Sequence, residues 1–261
     1  MPSQYVEQFR RGKAYFIRLN RPNKRNAISL DMQDAICDAL HEADLDENVS
    51  LTVLTGTGEY FSSGYDFSFM RDPVEMEKYS ERALPSEDPP YTALVRALVG
   101  HSKPLVALLN GPAVGFGVTM LGIFDYVLVS DKTTLQCPFA QMALAPEGCS
   151  TFTFPRDVGY SKACSLLLFG ETWSAQEACQ AGLVTKVVPH AQFSQLADEI
   201  VDRFANLPPG ALRSSKKLLR DRFTHLLYES NEREAAVVAK RFASEETMQQ
   251  LTRRFSSRSK L

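Results

Sequence analysis

The chain has 261 residues, of which 44% are hydrophobic, and its formal net charge is −2. This length and composition are enough for a sizeable hydrophobic core, and a charge near zero does not indicate nucleic acid or an anionic membrane surface as a partner. No apolar run reaches transmembrane length, and the first residues lack the apolar segment of a secretory signal. The five cysteines are scattered without metal-ligand spacing. We therefore expect no nucleic-acid partner, no membrane anchor and no metal site.

The first elements follow from local patterns. Residues 14–20 alternate apolar and polar side chains, which predicts a strand, and a basic loop follows at 21–26. Ser29 is a suitable N-cap for a helix that reaches about Asp46, because the apolar side chains of this segment recur at helical spacing. The apolar run 51–55 predicts a buried strand.

Two glycine-containing turns are the most informative features of the chain. The first is the loop 61–66, Phe-Ser-Ser-Gly-Tyr-Asp, and the second follows a buried strand at 105–109. In the second turn, Gly115 and Gly117 flank Phe116. A strand that turns sharply into a helix leaves backbone N–H groups without partners, and glycine allows another molecule to approach them closely. Taken alone, such a Gly-x-Gly more often marks only a tight turn.

The remaining elements alternate to about residue 190, after which only helices follow. Ser174 and Glu177 fit a capping box, and Gly182 is suited to end that helix. The charged, proline-rich segment 71–90 is expected to be a mobile surface segment. Further strands are predicted at 125–129, 133–137 and 183–188, and helices at 91–99, 118–124, 161–169 and from 192 onward, with a break at 207–210. This pattern predicts an α/β fold, with a core at 1–195 and a helical region at 196–261.

Four segments carry a resemblance to a known family. They are Arg21-Pro22 with Asn26-Ala27, the loop 61–66, the stretch from Lys103-Pro104 to Gly117, and the segment 174–184. In this order and spacing they resemble the crotonase superfamily, the enoyl-CoA hydratase/isomerase family, over nearly the whole chain. The resemblance implies a spiral of ββα units with a C-terminal helical trimerisation region. It also implies a homotrimer or a dimer of trimers.

The resemblance implies an oxyanion hole made of two backbone N–H groups, those of Tyr65 and Phe116. Removal of a proton next to a thioester carbonyl places negative charge on the carbonyl oxygen, and two fixed donors would stabilise it there. Neither residue is proline, so both can donate.

The carboxylates indicate which reaction to expect. Hydratases of the family use two glutamates, and the corresponding positions here are Thr119 and Phe139, neither of which can act as an acid or base. Glu147, in Ala-Pro-Glu-Gly-Cys-Ser, instead resembles the sole catalytic base of the peroxisomal Δ3,Δ2-enoyl-CoA isomerases. The resemblance implies that it moves a proton from carbon 2 to carbon 4 of a 3-enoyl-CoA. Without the resemblance, a Pro-Glu-Gly triplet is usually a solvated turn.

The substrate is expected to be an acyl-CoA, with coenzyme A as part of the substrate and no further cofactor. Arg21, Lys24 and Arg25 are candidates for the coenzyme A phosphates, although a solvated basic turn is an equal alternative. Asp66 is expected to cap its own loop. Other candidates for the substrate site are Ser63, Gly64, Asp66, Asn110, Gly115, Gly117 and Phe139, and those for an acyl pocket are Phe67, Phe69, Met70, Met120 and Phe139.

The last three residues, Ser259-Lys260-Leu261, match a peroxisomal import signal. They predict an import receptor as a partner and the peroxisome matrix as the location. Peroxisomal β-oxidation of unsaturated fatty acids is then the expected setting.

Alternative functions remain within the same resemblance. Dienoyl-CoA isomerases carry an aspartate at the position of Glu147 and a second acid where this chain has Phe139. A non-catalytic acyl-CoA-binding module, as in the chromodomain Y-like corepressors, carries aspartate in the Pro-Glu-Gly-Cys-Ser segment. An enoyl-CoA hydratase is the third alternative, and the two hydratase positions count against it.

Overall fold

The computed structural model describes residues 3–71, 77 and 90–257. A mixed sheet of six strands forms its centre, with β1 antiparallel to β2 and every other pair parallel. In spatial order these strands are β1 Val6–Arg11, β2 Ala14–Leu19, β3 Leu51–Gly56, β4 Leu105–Leu109, β6 Tyr126–Ser130 and β9 Lys186–Val188. A second, three-stranded sheet contains β5 Ala113–Val114, β7 Thr134–Gln136 and β8 Thr172–Ser174.

The helices that surround the sheets become more frequent toward the C-terminus. They are α1 Leu30–Leu45, α2 Pro90–Gly100, α3 Phe116–Thr119, α4 Ser150–Asp157, α5 Tyr160–Leu167, α6 Ala175–Ala181, α7 Phe193–Ala205, α8 Pro209–Arg220, α9 Thr224–Phe242 and α10 Glu245–Ser257. Short 3-10 turns lie at Pro22–Lys24, Ser68–Arg71, Met120–Ile123, Ala140–Met142 and His190–Gln192. Within the described part of the chain, no helix combines the length and apolarity that a bilayer crossing requires.

The inner strands of the central sheet are buried on both faces, as their apolar sequences predicted. In β4, Leu105, Ala107 and Leu109 belong to the larger hydrophobic cluster, which includes α1 and α2. The alternate residues Val106 and Leu108 belong to a second cluster closed by α7. Side chains of a strand alternate between faces, so a continuous apolar run is what a doubly covered strand requires.

Most predicted elements are confirmed to within one or two residues, among them β2, α1, β3, β4 and β6. The capping box is also confirmed: the Ser174 hydroxyl accepts from the Glu177 N–H at 3.2 Å, and the Glu177 carboxylate accepts from the Ser174 N–H at 2.7 Å. Gly182 ends this helix with φ 94°.

Several details differ from the sequence-based expectation. The predicted helix at 118–124 is a four-residue helix, α3, followed by a 3-10 turn, and the strand predicted at 183–188 begins only at Lys186. The strands β1, β5 and β8 and the helix α4 were not predicted. The expected surface segment 71–90 lies almost wholly outside the described residues, as do Ser259-Lys260-Leu261 and the side chain of Met70.

Candidate active site

The two glycine-containing turns lie side by side. The N–H of Val114 donates to the carbonyl oxygen of Ser62 at 2.9 Å, and Ser62 forms a parallel bridge with Ala113. Gly64 has φ +83°, and a Cβ added to it would lie 2.7 Å from the oxygen of Val114 and 3.2 Å from the nitrogen of Phe116. Glycine is therefore required here both for the backbone conformation and for the close approach of the second turn.

This arrangement brings Tyr65 and Phe116 together. Their rings stack with centroids 4.4 Å apart and an angle of 14° between the planes. Phe116 opens α3 after Gly115, which has φ 56°, so its N–H belongs to the first turn of a helix and has no acceptor within that helix. The two residues expected to supply an oxyanion hole thus occupy neighbouring turns.

Glu147 lies beside the same turns, because Thr119 at the end of α3 donates a hydrogen bond to its Oε1 at 3.2 Å. The residue is 6% exposed, so the interpretation as a solvated turn is wrong. Gly148 has φ +73°, and a Cβ there would lie 2.8 Å from the hydroxyl of Thr119. Within the described residues, Oε2 of Glu147 has no hydrogen-bond partner.

Burial raises the pKa of Glu147 well above its ordinary value of 4.5. The neighbouring carboxylate of Glu234 raises this pKa further, whereas the hydrogen bond from Thr119 lowers it. A buried carboxylate with a raised pKa and an unpartnered oxygen is chemically suited to accept a proton from carbon. Glu234 was missed by sequence reasoning, because it lies on the distant helix α9 and no local motif marks it.

The family resemblance assigns the two hydratase glutamates to the positions of Thr119 and Phe139. Thr119 is fully buried, and Phe139 is buried before the turn Ala140–Met142, where its carbonyl oxygen accepts from the N–H of Leu144 at 2.8 Å. Of the other acyl-pocket candidates, Met120 is buried in the core, and Phe67 contacts Phe242 of α9 at a centroid distance of 5.8 Å. Met120 therefore belongs to the core, whereas Phe67 is only partly buried.

The basic loop divides into one paired and two exposed cations. Arg21 forms an ion pair with Asp66 at 2.5 Å, and Asp66 also accepts from the N–H of Ser68 at 2.8 Å, as expected of a loop cap. This pairing lowers the pKa of Asp66, although burial opposes it. Lys24 and Arg25 are exposed and have no ion pair with any described residue. The guanidinium carbon of Arg25 lies over the ring of Tyr60, 5.1 Å from its centroid.

The remaining substrate-site candidates connect the loops to one another. The side-chain N–H of Asn110 donates to the carbonyl oxygen of Gly58 at 2.6 Å, and the N–H of Ser63 donates to the carbonyl oxygen of Arg25 at 2.9 Å. A Cβ added to Gly117 would lie 3.0 Å from the oxygen of Ser62, so this glycine also permits the contact between the turns.

The fold and the paired turns define a crotonase-fold protein. The closely matching solved structures include an enoyl-CoA hydratase/isomerase from Pseudoalteromonas atlantica T6c, with a TM-score of 0.89, 28% identity, and coverage of 97% of this chain and 98% of that one. The enoyl-CoA hydratase/isomerase family profile matches residues 11–260. The chain belongs to the enoyl-CoA hydratase/isomerase family, as its resemblance indicated.

The names of two similar proteins specify a reaction within this family. Human enoyl-CoA delta isomerase 2 is 40% identical over 249 residues, which cover 94% of this chain and 61% of the relative. Mouse "Enoyl-CoA delta isomerase 3, peroxisomal" is 40% identical over 231 residues, which cover 88% of this chain and 71% of the relative. The chain therefore spans about three fifths of the length of the human relative.

Proposed function

We propose that the protein is a Δ3,Δ2-enoyl-CoA isomerase that uses Glu147 as its only acid–base residue. The observation that carries this proposal is the buried Oε2 of Glu147, which has no partner among the described residues and lies beside the paired glycine turns. The names of the human and mouse relatives support the same reaction.

The mechanism requires one carboxylate and two backbone donors. Glu147 accepts the proton from carbon 2 of the 3-enoyl thioester, and the electron pair of that C–H bond moves toward the carbonyl. The resulting dienolate oxygen is stabilised by the N–H groups of Tyr65 and Phe116, each of which can contribute about 3 kcal/mol. Glu147 then returns the proton to carbon 4, and the double bond lies between carbons 2 and 3. No water is consumed and the carboxylate is regenerated.

Residue chemistry favours this reaction over the alternatives. Hydration needs a second acid–base group, whereas Thr119 and Phe139 occupy the corresponding positions. A dienoyl-CoA isomerase would also need an acid where Phe139 lies. A non-catalytic module would not require a buried glutamate with a raised pKa, because such a group costs stability and contributes nothing to binding an uncharged acyl chain.

The proposed function also specifies the substrate class, the cellular location and the oligomeric state. The substrate is an acyl-CoA, and Lys24 and Arg25 are the candidates for binding its phosphates. The reaction requires no cofactor, because coenzyme A is part of the substrate. The name of the mouse relative supports a peroxisomal role in the oxidation of unsaturated fatty acids. A homotrimer or dimer of trimers is part of the same proposal.

The test is the conversion of trans-3-hexenoyl-CoA, followed by the ultraviolet absorbance of the conjugated 2-enoyl thioester. We expect turnover by the unaltered protein and a loss of about 10³-fold in kcat for Glu147→Gln, the scale of general acid–base catalysis. Glu229→Gln is the control, because it makes the same chemical change on the exposed face of α9. Its rate should be unchanged.

Three results would contradict the proposal. Unchanged turnover in Glu147→Gln would remove the base assignment. Addition of water to crotonyl-CoA without conversion of the 3-enoyl substrate would indicate a hydratase. Tight binding of acyl-CoA without any turnover would indicate a binding module.

A further inference from the structure

A second buried carboxylate lies directly behind the segment that carries Glu147. Glu234, on α9, is 4% exposed. Its Oε2 accepts from the N–H of Cys149 at 2.7 Å, and its Oε1 accepts from the N–H of Thr151 at 2.9 Å and from the Thr151 hydroxyl at 2.6 Å. One side chain from a distant part of the chain thus takes three hydrogen bonds from the beginning of α4.

The beginning of α4 needs an acceptor from elsewhere. Its N-cap residue, Cys149, makes no side-chain cap hydrogen bond and has φ 61°, a left-handed conformation that is uncommon for a residue with a side chain. The first N–H groups of a helix have no acceptor within the helix, and burying them unpaired is costly. The carboxylate of Glu234 supplies that acceptor and places a negative charge at the positive end of the helix.

The same turn determines the position of Glu147. Its carbonyl oxygen accepts from the Ser150 hydroxyl at 2.7 Å, and only Gly148 separates it from Cys149. The thiol of Cys149 also donates to the carbonyl oxygen of Leu227 on α9 at 3.2 Å. The backbone that follows Glu147 is therefore attached to α9 at two places, whereas Thr119 contacts its side chain from the other side.

We propose that Glu234 is a positioning residue for the base: it fixes the turn at 147–151 so that the carboxylate of Glu147 stays beside the paired glycine turns. This inference rests on the proposed isomerase function. It assigns to α9, in the C-terminal helical region, a role in the chemistry through a residue that does not touch the substrate.

The charge of Glu234 also affects the pKa of Glu147, and this effect can be measured separately from stability. A negative charge on Glu234 raises the pKa of Glu147, and burial raises the pKa of Glu234 itself to about 7. The thiols of Cys137 and Cys149 face the same cluster: burial and the carboxylates raise the pKa of both thiols, and the guanidinium of Arg220 on α8 lowers that of Cys149. Removal of the charge at Glu234 should therefore lower the pKa of Glu147, because the like charge is the second largest cause of its elevation.

The test compares Glu234→Gln with Glu229→Gln in the isomerase assay over a range of pH. Glutamine keeps the size of the side chain but removes the charge and replaces one acceptor oxygen with a donor. We expect kcat to fall roughly tenfold or more, because small displacements of a catalytic group are costly. The KM should change less than about twofold, since substrate contacts lie elsewhere. The acid limb of the kcat/KM profile should move to lower pH by about one unit.

A second, milder variant keeps the test informative if Glu234→Gln does not fold. Thr151→Ala removes one donor to Glu234 at an exposed residue, and it should move the acid limb in the same direction by a smaller amount. A purely structural role would lower thermal stability and the amount of active enzyme without moving the limb, and that result would overturn the inference. An unaltered protein that is inactive on 3-enoyl-CoA would instead overturn the proposed function.

Discussion

The hydroxyl of Thr119 donates a hydrogen bond to Oε1 of Glu147 at 3.2 Å. This hydrogen bond stabilises the charged form of Glu147, the proposed base. Burial and Glu234 raise the pKa of Glu147, and this hydrogen bond lowers it. The strength of the base depends on the balance of these effects.

Thr119→Val should move the acid limb of the kcat/KM profile to higher pH. Valine has nearly the shape of threonine but cannot donate, so the charged form of Glu147 loses about 1.5 kcal/mol or more, which corresponds to about one pKa unit. Activity below the midpoint should fall about tenfold. The measurement is the pH dependence of 3-hexenoyl-CoA isomerisation.

Thr133→Val is the matched control for this variant. Thr133 is also buried, and its hydroxyl donates to the backbone oxygen of Leu109 at 3.2 Å, away from Glu147. It should lose stability without any change in the pH midpoint. Equal profiles for Thr119→Val and the unaltered protein would show that the hydrogen bond does not tune the base.

The sequence could predict features that depend on neighbouring residues. The capping box at Ser174 and the buried strand β4 need only local spacing, and both are confirmed. The strand β1 was missed because only Val6 of its residues is buried, so its sequence lacks the apolar alternation that marks a strand. The helix α4 was missed because Cys149 is not a typical N-cap and Pro155 lies inside it.

In the candidate site, too, the residue in a local motif could be predicted, whereas the residue that depends on a long-range contact could not. Glu147 could be identified because a local segment resembles a family motif, but its burial depends on how the chain packs around it. Glu234 could not be identified, because its contact with Cys149 joins two helices that are far apart in sequence. A single sequence contains no signal for a hydrogen bond between such positions.

Gly64→Ala should separate the two turns and reduce kcat about 100-fold, because the added Cβ would lie 2.7 Å from the backbone oxygen of Val114. Gly159→Ala is the control, since Gly159 has nearly the same backbone angle, φ +85° against +83°, and no described atom lies within 4 Å of its Cβ position. Both variants should lose about 1–3 kcal/mol of stability from the positive φ. Only Gly64→Ala should lose activity, and equal rates for both variants would contradict the importance of the close approach.

Replacement of Lys24 and Arg25 together by alanine should raise the KM for 3-hexenoyl-CoA about tenfold with little change in kcat. The two exposed cations are expected to contact phosphate and not the reacting carbons, so they contribute equally to the ground state and the transition state. The effect should shrink with the thioester of dephospho-coenzyme A and at high salt. Lys162→Ala, at an exposed lysine on α5, should leave the KM unchanged. A double variant with the KM of the unaltered protein would leave the basic loop as a solvated turn.

Glu147→Gln should stabilise the protein, and the gain should grow with pH. The pKa of Glu147 in the folded state lies well above the ordinary value of 4.5, so the folded protein retains a proton that the unfolded chain has lost. The contribution of this group to stability is therefore full below about pH 4.5 and is lost as the pH rises toward the folded-state pKa. Glutamine does not titrate and avoids this loss.

The variant and the unaltered protein should have similar melting temperatures near pH 4.5. Above that pH, the difference between their free energies of unfolding should grow by up to about 1.4 kcal/mol per pH unit. By pH 8 the variant should melt at least about 2 °C higher, measured by calorimetry. A variant less stable than the unaltered protein at pH 8 would show that Glu147 is not held as a buried, poorly compensated carboxylate.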